Sequence, residues 1–215
     1  MAYAVKEIFY TLQGEGVNAG RPAVFLRFSG CNLWSGLDRD RASGPGGCSR
    51  WCDTDFVGVN GSGGGRFPRT GDLVKAVSQL WPREASRATP LVVCTGGEPL
   101  LQLDSELILG LQRAGFSVAA ETNGTVDPPD GLLWLTVSPK SGTVLRVRRG
   151  NELKLVYPQA GAEPERFADL DFDHFFLQPL DAQSASANTR AALEYCMTHP
   201  QWRLSLQTHK ILGIP

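Results

Sequence analysis

With 215 residues, 42% of them apolar, the chain fits one domain of ordinary size with a sizeable core. A net charge of −1 argues against a broad nucleic-acid or membrane-surface footprint, and no run of about 18 apolar residues offers a membrane-spanning helix. The opening Met-Ala-Tyr-Ala-Val-Lys-Glu lacks the apolar centre of a signal peptide, so a cytoplasmic protein is expected; five cysteines, an odd number, argue against a disulfide framework.

In chain order, Pro22–Ser29 (PAVFLRFS) reads as the first strand. Residues 35–66 follow as a long loop rich in Gly, Arg, Asp and Ser, broken by Gly44-Pro45-Gly46-Gly47 and Gly61-Ser62-Gly63-Gly64-Gly65. A loop of that length in a compact domain is functional or disordered, and its two cysteines favour function. Leu73, Val74, Val77 and Leu80 give Asp72–Leu80 a helical spacing. Leu91–Cys94 is a buried strand, and Asp104–Ala114 a helix with Asp104 as N-cap and Gly115 as its stop. Phe116–Ala120, Leu132–Val137, Leu153–Tyr157 and His174–Leu177 read as strands. A helix over about Thr189–Thr198, capped by Asn188 and stopped before Pro200, precedes a last strand at Trp202–Leu206.

Strand–helix alternation implies the α/β class and a parallel sheet. Several crossings are too short for a helix, notably Glu121 to Leu132. An incomplete, open βα barrel is expected, with a doubly wound sheet as the alternative. No repeat or linker divides the chain, so residues 1–215 are expected to form one domain with 35–66 as an insertion.

Parallel α/β folds place their sites beyond the carboxyl ends of the strands. Six exits are polar, small or charged: Ser29–Cys31, Thr95–Pro99, Glu121–Asn123, Ser138–Lys140, Gln178-Pro179 and Gln207–Lys210. A single ligand site along one rim is the economical reading.

Cys31, Cys48 and Cys52 crowd together in a chain expected in a reducing compartment. Three thiolates can hold a 4Fe–4S cubane and leave one iron open, where the amino and carboxylate groups of S-adenosylmethionine could chelate. A structural zinc site is the competing reading, although His174, His199 and His209 all lie far from the cluster in sequence.

Taken together, Phe9–Arg27 (FYTLQGEGVNAGRPAVFLR), Cys31–Trp34, Cys52–Asp55, Thr95–Pro99 (TGGEP), Glu121–Gly124 (ETNG), Ser138–Lys140, Asn151–Lys154 (NELK), Gln178-Pro179 and Gln207–Lys210 (QTHK) resemble the 7-carboxy-7-deazaguanine synthase family. The likeness runs from Glu7 to Pro215 and is weakest at 35–47 and 60–70. It implies a radical S-adenosylmethionine lyase of queuosine-type deazapurine biosynthesis. Such an enzyme contracts a ring of 6-carboxy-5,6,7,8-tetrahydropterin and releases ammonia, using a 4Fe–4S cluster, S-adenosylmethionine and Mg²⁺. It further implies a homodimer, with a flavodoxin-like or ferredoxin-like electron donor.

By the same resemblance Leu12, Gln13, Gly14, Glu15, Thr95 and His209 line the pterin, Arg27 pairs with its carboxylate, and the terminal carboxylate of Pro215 meets the donor edge of its ring. Cys31, Cys48 and Cys52 hold the cluster and Thr54 supplies an oxygen to Mg²⁺. Trp51, Asp53, Gly97, Glu98, Glu121, Ser138, Pro139, Lys140, Lys154, Gln178, Pro179, Leu180 and Asp181 surround S-adenosylmethionine. Glu98 fits a backbone-orienting role as well, and Lys154 could instead be solvated.

The cysteine spacing departs from the usual superfamily pattern of three and then two intervening residues. Here sixteen residues separate Cys31 from Cys48 and three separate Cys48 from Cys52. Positions i and i+4 on a helical turn still share a face. Other enzymes of the superfamily, such as a glycyl-radical activase, and a non-catalytic zinc module remain alternatives at this point. Cys94 and Cys196 read as core or interface residues, His174 and His199 as surface or loop.

Overall fold

The computed structural model describes residues 2–44, 46–82 and 88–215. Pro45 of the expected Gly44–Gly47 break therefore lies outside the described residues. Nine strands make one sheet: β1 Tyr3–Leu12, β2 Pro22–Phe28, β3 Gly65–Phe67, β4 Leu91–Gly96, β5 Ser117–Thr122, β6 Trp134–Val137, β7 Arg149–Tyr157, β8 Asp171–Pro179 and β9 Trp202–Leu204. Four α-helices accompany them: α1 Thr70–Leu80, α2 Ser105–Arg113, α3 Ala185–Thr198 and α4 Thr208–Leu212.

The strand order is β3-β1-β2-β4-β5-β6-β7-β8-β9. From β2 onward every neighbouring pair is parallel, and only β1 runs antiparallel, to β2 on one side and β3 on the other. Because β4 to β9 add in chain order, the sheet winds one way. It lacks the reversal of strand order that a doubly wound sheet requires, which removes that alternative.

β1 was not expected from the sequence. Its alternation is interrupted by Lys6-Glu7 and by a register shift between Val5 and Glu7, which disguises the period-two pattern. The end of the 35–66 loop is likewise ordered against β1: Gly61 N–H donates to Lys6 O at 2.9 Å, Ile8 N–H donates to Ser62 O at 2.8 Å, and β3 then pairs with Tyr3–Val5. α3 begins at Ala185, four residues earlier than expected. Asn188 is thus not a cap; it lies inside the helix and donates to Leu180 O at 2.8 Å. Asp104 does cap α2, accepting from Leu107 N–H at 2.9 Å.

Side-chain alternation separates the two faces of the sheet. Val24, Leu26 and Phe28 of β2, Val92 and Cys94 of β4, Val118 and Ala120 of β5, and Leu153 and Leu155 of β7 belong to the main core with Leu107 and Leu111 of α2. The other face starts apolar, with Ala23, Leu91, Val93 and Ala119. Two residues further along the same strands it turns polar: Arg27 follows Phe25, Thr95 follows Val93, and Glu121 follows Ala119. The pattern puts Thr136, Lys154 and Gln178 on this face too. One face of each strand therefore supports the fold, while the carboxyl end of the other face is free for chemistry. Cys94 is fully buried in the main core, and Cys196 is a partly buried residue at that core's margin. His174, expected at the surface, is half-buried in β8 with its ring 6.1 Å from Trp134. Among the described residues no helix is long and apolar enough to cross a membrane.

Candidate active site

The polar face opens into a cavity of about 400 Å³. Its walls come from the ends of β1, β2 and β4 to β8, from the cysteine loop, and from α4 with the chain terminus. The floor is a buried charge network. Lys154 reaches in from β7 to pair with Glu15, after β1, and with Glu121 of β5 at 3.4 Å. Glu15 also accepts from Gln178 Nε2 at 3.1 Å and Gln207 Nε2 at 3.0 Å. Glu121 accepts from Gln13 Nε2 at 3.0 Å and Thr95 Oγ1 at 3.4 Å.

These contacts decide the protonation states. Burial alone would push Lys154 down, but the facing carboxylates of Glu121, Glu15 and Glu152 raise it, so it stays an ammonium. Burial would push Glu15 up, yet the Lys154 charge and hydrogen bond hold it below the ordinary carboxyl value. Glu152 is the exception: burial raises it, and its hydrogen bond from Val17 N–H at 2.9 Å compensates only in part. Lys154 is therefore not solvated, one of the two roles read for it from sequence.

The three clustered cysteines line the same cavity. Cys31 follows β2, and Leu33 N–H donates to its sulfur at 3.4 Å. Cys48 and Cys52 bracket a single helical turn, in which Cys52 N–H donates to Cys48 O at 2.7 Å. A three-residue gap is thus built into the backbone as one turn. Burial pushes the Cys48 thiol up to about 11, against the pull of Lys140. Burial also raises Cys31 and depresses Lys140, whose ammonium donates to Ser138 Oγ at 2.6 Å and lies 5.4 Å from the Trp51 ring. All three cysteines are free and wall the same cavity.

Among the described residues no three His, Cys, Asp or Glu side chains converge to hold a single metal ion. A cubane asks for no such convergence, since each thiolate binds a different iron. Three free thiols lining one cavity, with Lys140 acting on Cys48, form a donor set that fits such a cluster.

The C-terminus closes the site. Thr208 donates to Gly14 O through both N–H and Oγ1, each at 3.0 Å, and Thr11 Oγ1 donates to Pro215 O at 3.0 Å. Lys210 bridges Asp53 at 2.7 Å and Asp181 at 2.5 Å, joining the cysteine loop to the exit of β8.

A protein of Bordetella pertussis named 7-carboxy-7-deazaguanine synthase is 57% identical over 215 residues, covering all of both chains. The chain belongs to the 7-carboxy-7-deazaguanine synthase family. Synthases so named from Caulobacter vibrioides and Synechocystis are 56% and 30% identical, covering all of this chain and 100% and 94% of theirs. The crystal structure of QueE from Escherichia coli superposes with a TM-score of 0.69 at 30% identity, over 96% of this chain and 94% of that one. No family model matches the chain. Family membership makes the protein an enzyme, which sets aside the non-catalytic zinc module.

Of the residues that the synthase likeness assigned, the structure gathers Leu12, Gln13, Gly14, Glu15, Arg27, Thr95, His209, Pro215, Trp51, Asp53, Thr54, Gly97, Glu121, Ser138, Lys140, Lys154, Gln178 and the three cysteines around the cavity. Pro139, Pro179, Leu180 and Asp181 are not among the residues lining it. Glu98 is not among the residues lining the cavity, and its contacts match the backbone-orienting role also read for it from sequence. It is fully buried, and its carboxylate accepts from Leu100 N–H at 3.0 Å, Thr122 Oγ1 at 2.7 Å and Asn123 N–H at 2.8 Å. It orients backbone. A side chain at Gly97 would meet Cys31 Cβ at 2.7 Å as well as the Gly30 carbonyl, so close strand-exit packing already requires glycine there.

Glu7, Trp34, Gln207 and Lys210 line the synthase cavity without having been assigned roles. Glu7 faces Arg27 across the β1–β2 ladder and accepts from its Nε at 2.7 Å. Recognising β1 as a strand would have paired them.

Proposed function

We propose that the chain converts 6-carboxy-5,6,7,8-tetrahydropterin to 7-carboxy-7-deazaguanine, with ring contraction and loss of ammonia, as a radical S-adenosylmethionine lyase on a partial βα barrel. The observation that carries this reading is one cavity lined both by three free thiols and by the paired Glu15, Lys154 and Glu121. The names of the relatives favour it over a glycyl-radical activase.

Cys31, Cys48 and Cys52 would hold a 4Fe–4S cluster. Trp51, Gly97, Ser138, Lys140 and Gln178 would contact S-adenosylmethionine, and Thr54 would offer its oxygen to Mg²⁺. When bound, the reduced cluster and S-adenosylmethionine supply a carbon radical able to take hydrogen from an unactivated carbon. The protein's own contributions are positional. Arg27 has Nε committed to Glu7, which leaves its two Nη groups to form a bidentate pair with a substrate carboxylate. Lys154 pairs with the two acids beside it, offsetting one of their two charges, and holds Glu15 and Glu121 as acceptors at the cavity. The C-terminal segment covers the substrate end and excludes water. A homodimer, an external flavodoxin-like or ferredoxin-like reductant and a cytoplasmic setting complete the reading.

Anaerobic turnover with the tetrahydropterin, S-adenosylmethionine, reductant and Mg²⁺, read by mass analysis, tests it. Formation of 7-carboxy-7-deazaguanine, lost in a Cys52→Ala variant, is the expected result. A reconstituted protein that takes up zinc and no iron would overturn it.

A further inference from the structure

Sixteen residues stand between Cys31 and Cys48 where the usual pattern has three. A short spacer holds two cysteines together by chain length alone, and a long one does not. The turn that carries Cys48, Gly47–Arg50, is four residues long. Isolated helices shorter than about 12–15 residues are marginal in water, so this turn needs a hold from outside it.

Arg41, within the insertion, supplies that hold. Its Nη1 donates to Ser49 O at 3.0 Å and to Cys52 O at 3.1 Å. The last carbonyls of a helix have no amide partner within it, and a basic side chain can provide one. The contact is returned: Ser49, only 1% exposed, donates from Oγ to Arg41 O at 2.7 Å. The guanidinium is itself fixed. Asp38 Oδ1 accepts from Nε at 2.8 Å, and Cζ lies 4.7 Å from the centroid of the Trp34 ring. The insertion also lies directly on the turn, since a Cβ on Gly44 would meet Ser49 Oγ at 2.7 Å. At the other side Gly47 N–H donates to Ser141 O at 2.9 Å.

We infer that Arg41 is a positioning residue for the iron–sulfur cluster. By clamping the carbonyls of Ser49 and Cys52 it sets the Cys48 and Cys52 thiols in place before iron arrives, and so does the work of the missing short spacer. The inference rests on the cluster reading proposed above.

The test compares the full-length protein with Arg41→Ala and with Arg39→Ala, which removes an exposed neighbour 3.8 Å from Asp40. Alkylation of each cysteine in the cluster-free protein is followed by peptide mass analysis. Iron loss to a chelator is followed after anaerobic reconstitution. In Arg41→Ala, Cys48 and Cys52 should react faster while Cys94 in the core keeps its parent rate. Iron should leave about tenfold faster, the scale of one charge-assisted hydrogen bond. Arg39→Ala should match the parent in both measurements. Iron loss at the parent rate, or a rise in Cys94 reactivity equal to that of Cys48, would overturn the inference while leaving the cluster reading intact. If Arg41→Ala does not fold, Ser49→Ala decides by the same readings. A parent protein that takes up no iron would overturn both.

Discussion

Gly14 and His209 share one volume: a Cβ on Gly14 would lie 2.9 Å from the His209 backbone nitrogen and closer still to Nδ1. The first residue follows the opening strand and the second lies in the last helix, so the two ends of the chain interlock over the cavity. Gly14→Ala should displace the imidazole and the Thr208 contacts behind it. We expect catalytic efficiency to fall by up to about 10²-fold, the scale of an ångström-sized misplacement, with an unchanged circular dichroism spectrum. Wild-type kinetics in this variant would contradict the packing.

Lys154→Met should leave Glu15 and Glu121 buried without a counter-charge. Removing one member of such a network costs about 3–5 kcal/mol, measurable by urea denaturation of the cluster-free protein. A loss below about 1 kcal/mol would show that the carboxylates find other partners.

The lowered pKa of Glu15 links this network to pH. A carboxyl whose folded pKa lies below its ordinary 4.5 contributes stability that is present above that value. The contribution disappears as pH falls through the folded pKa. Stability should therefore drop more steeply below about pH 4.5 in the parent protein than in Glu15→Gln. Parallel curves for the two proteins would remove Glu15 from the account.

Glu98→Ala orphans the Thr122 hydroxyl and the amides of Leu100 and Asn123. At about 1–3 kcal/mol for each donor that water cannot reach, a loss of at least about 2 kcal/mol is expected in thermal or chemical unfolding. A variant as stable as the parent would mean that water replaces the carboxylate.

Deleting Pro215 removes the acceptor of the Thr11 hydroxyl and moves the terminal carboxylate. The substrate KM should rise roughly tenfold, equivalent to about 1.4 kcal/mol, while reductive cleavage of S-adenosylmethionine without substrate persists. An unaltered KM would assign the terminus to closure alone.

The strand exits were legible because a parallel α/β sheet sends its site to the carboxyl ends of the strands whatever the details. The cysteine trio and the exits at Thr95, Glu121, Ser138 and Gln178 could therefore be collected from sequence. β1 was not legible, since its charged pair and its register shift break the local alternation, and with it went the Glu7–Arg27 pair. α4 is five residues long, too short to leave a periodic signal.

Local periodicity and residue type determined the elements from β4 to β9, the burial of Cys94, and the candidate ligands, because each depends on neighbours a few positions away. Tertiary structure alone decided that Lys154 meets Glu15, 139 residues earlier, and that the Thr11 hydroxyl meets the terminus. Those outcomes depend on how the sheet winds and where distant segments land, which no short window of residues encodes.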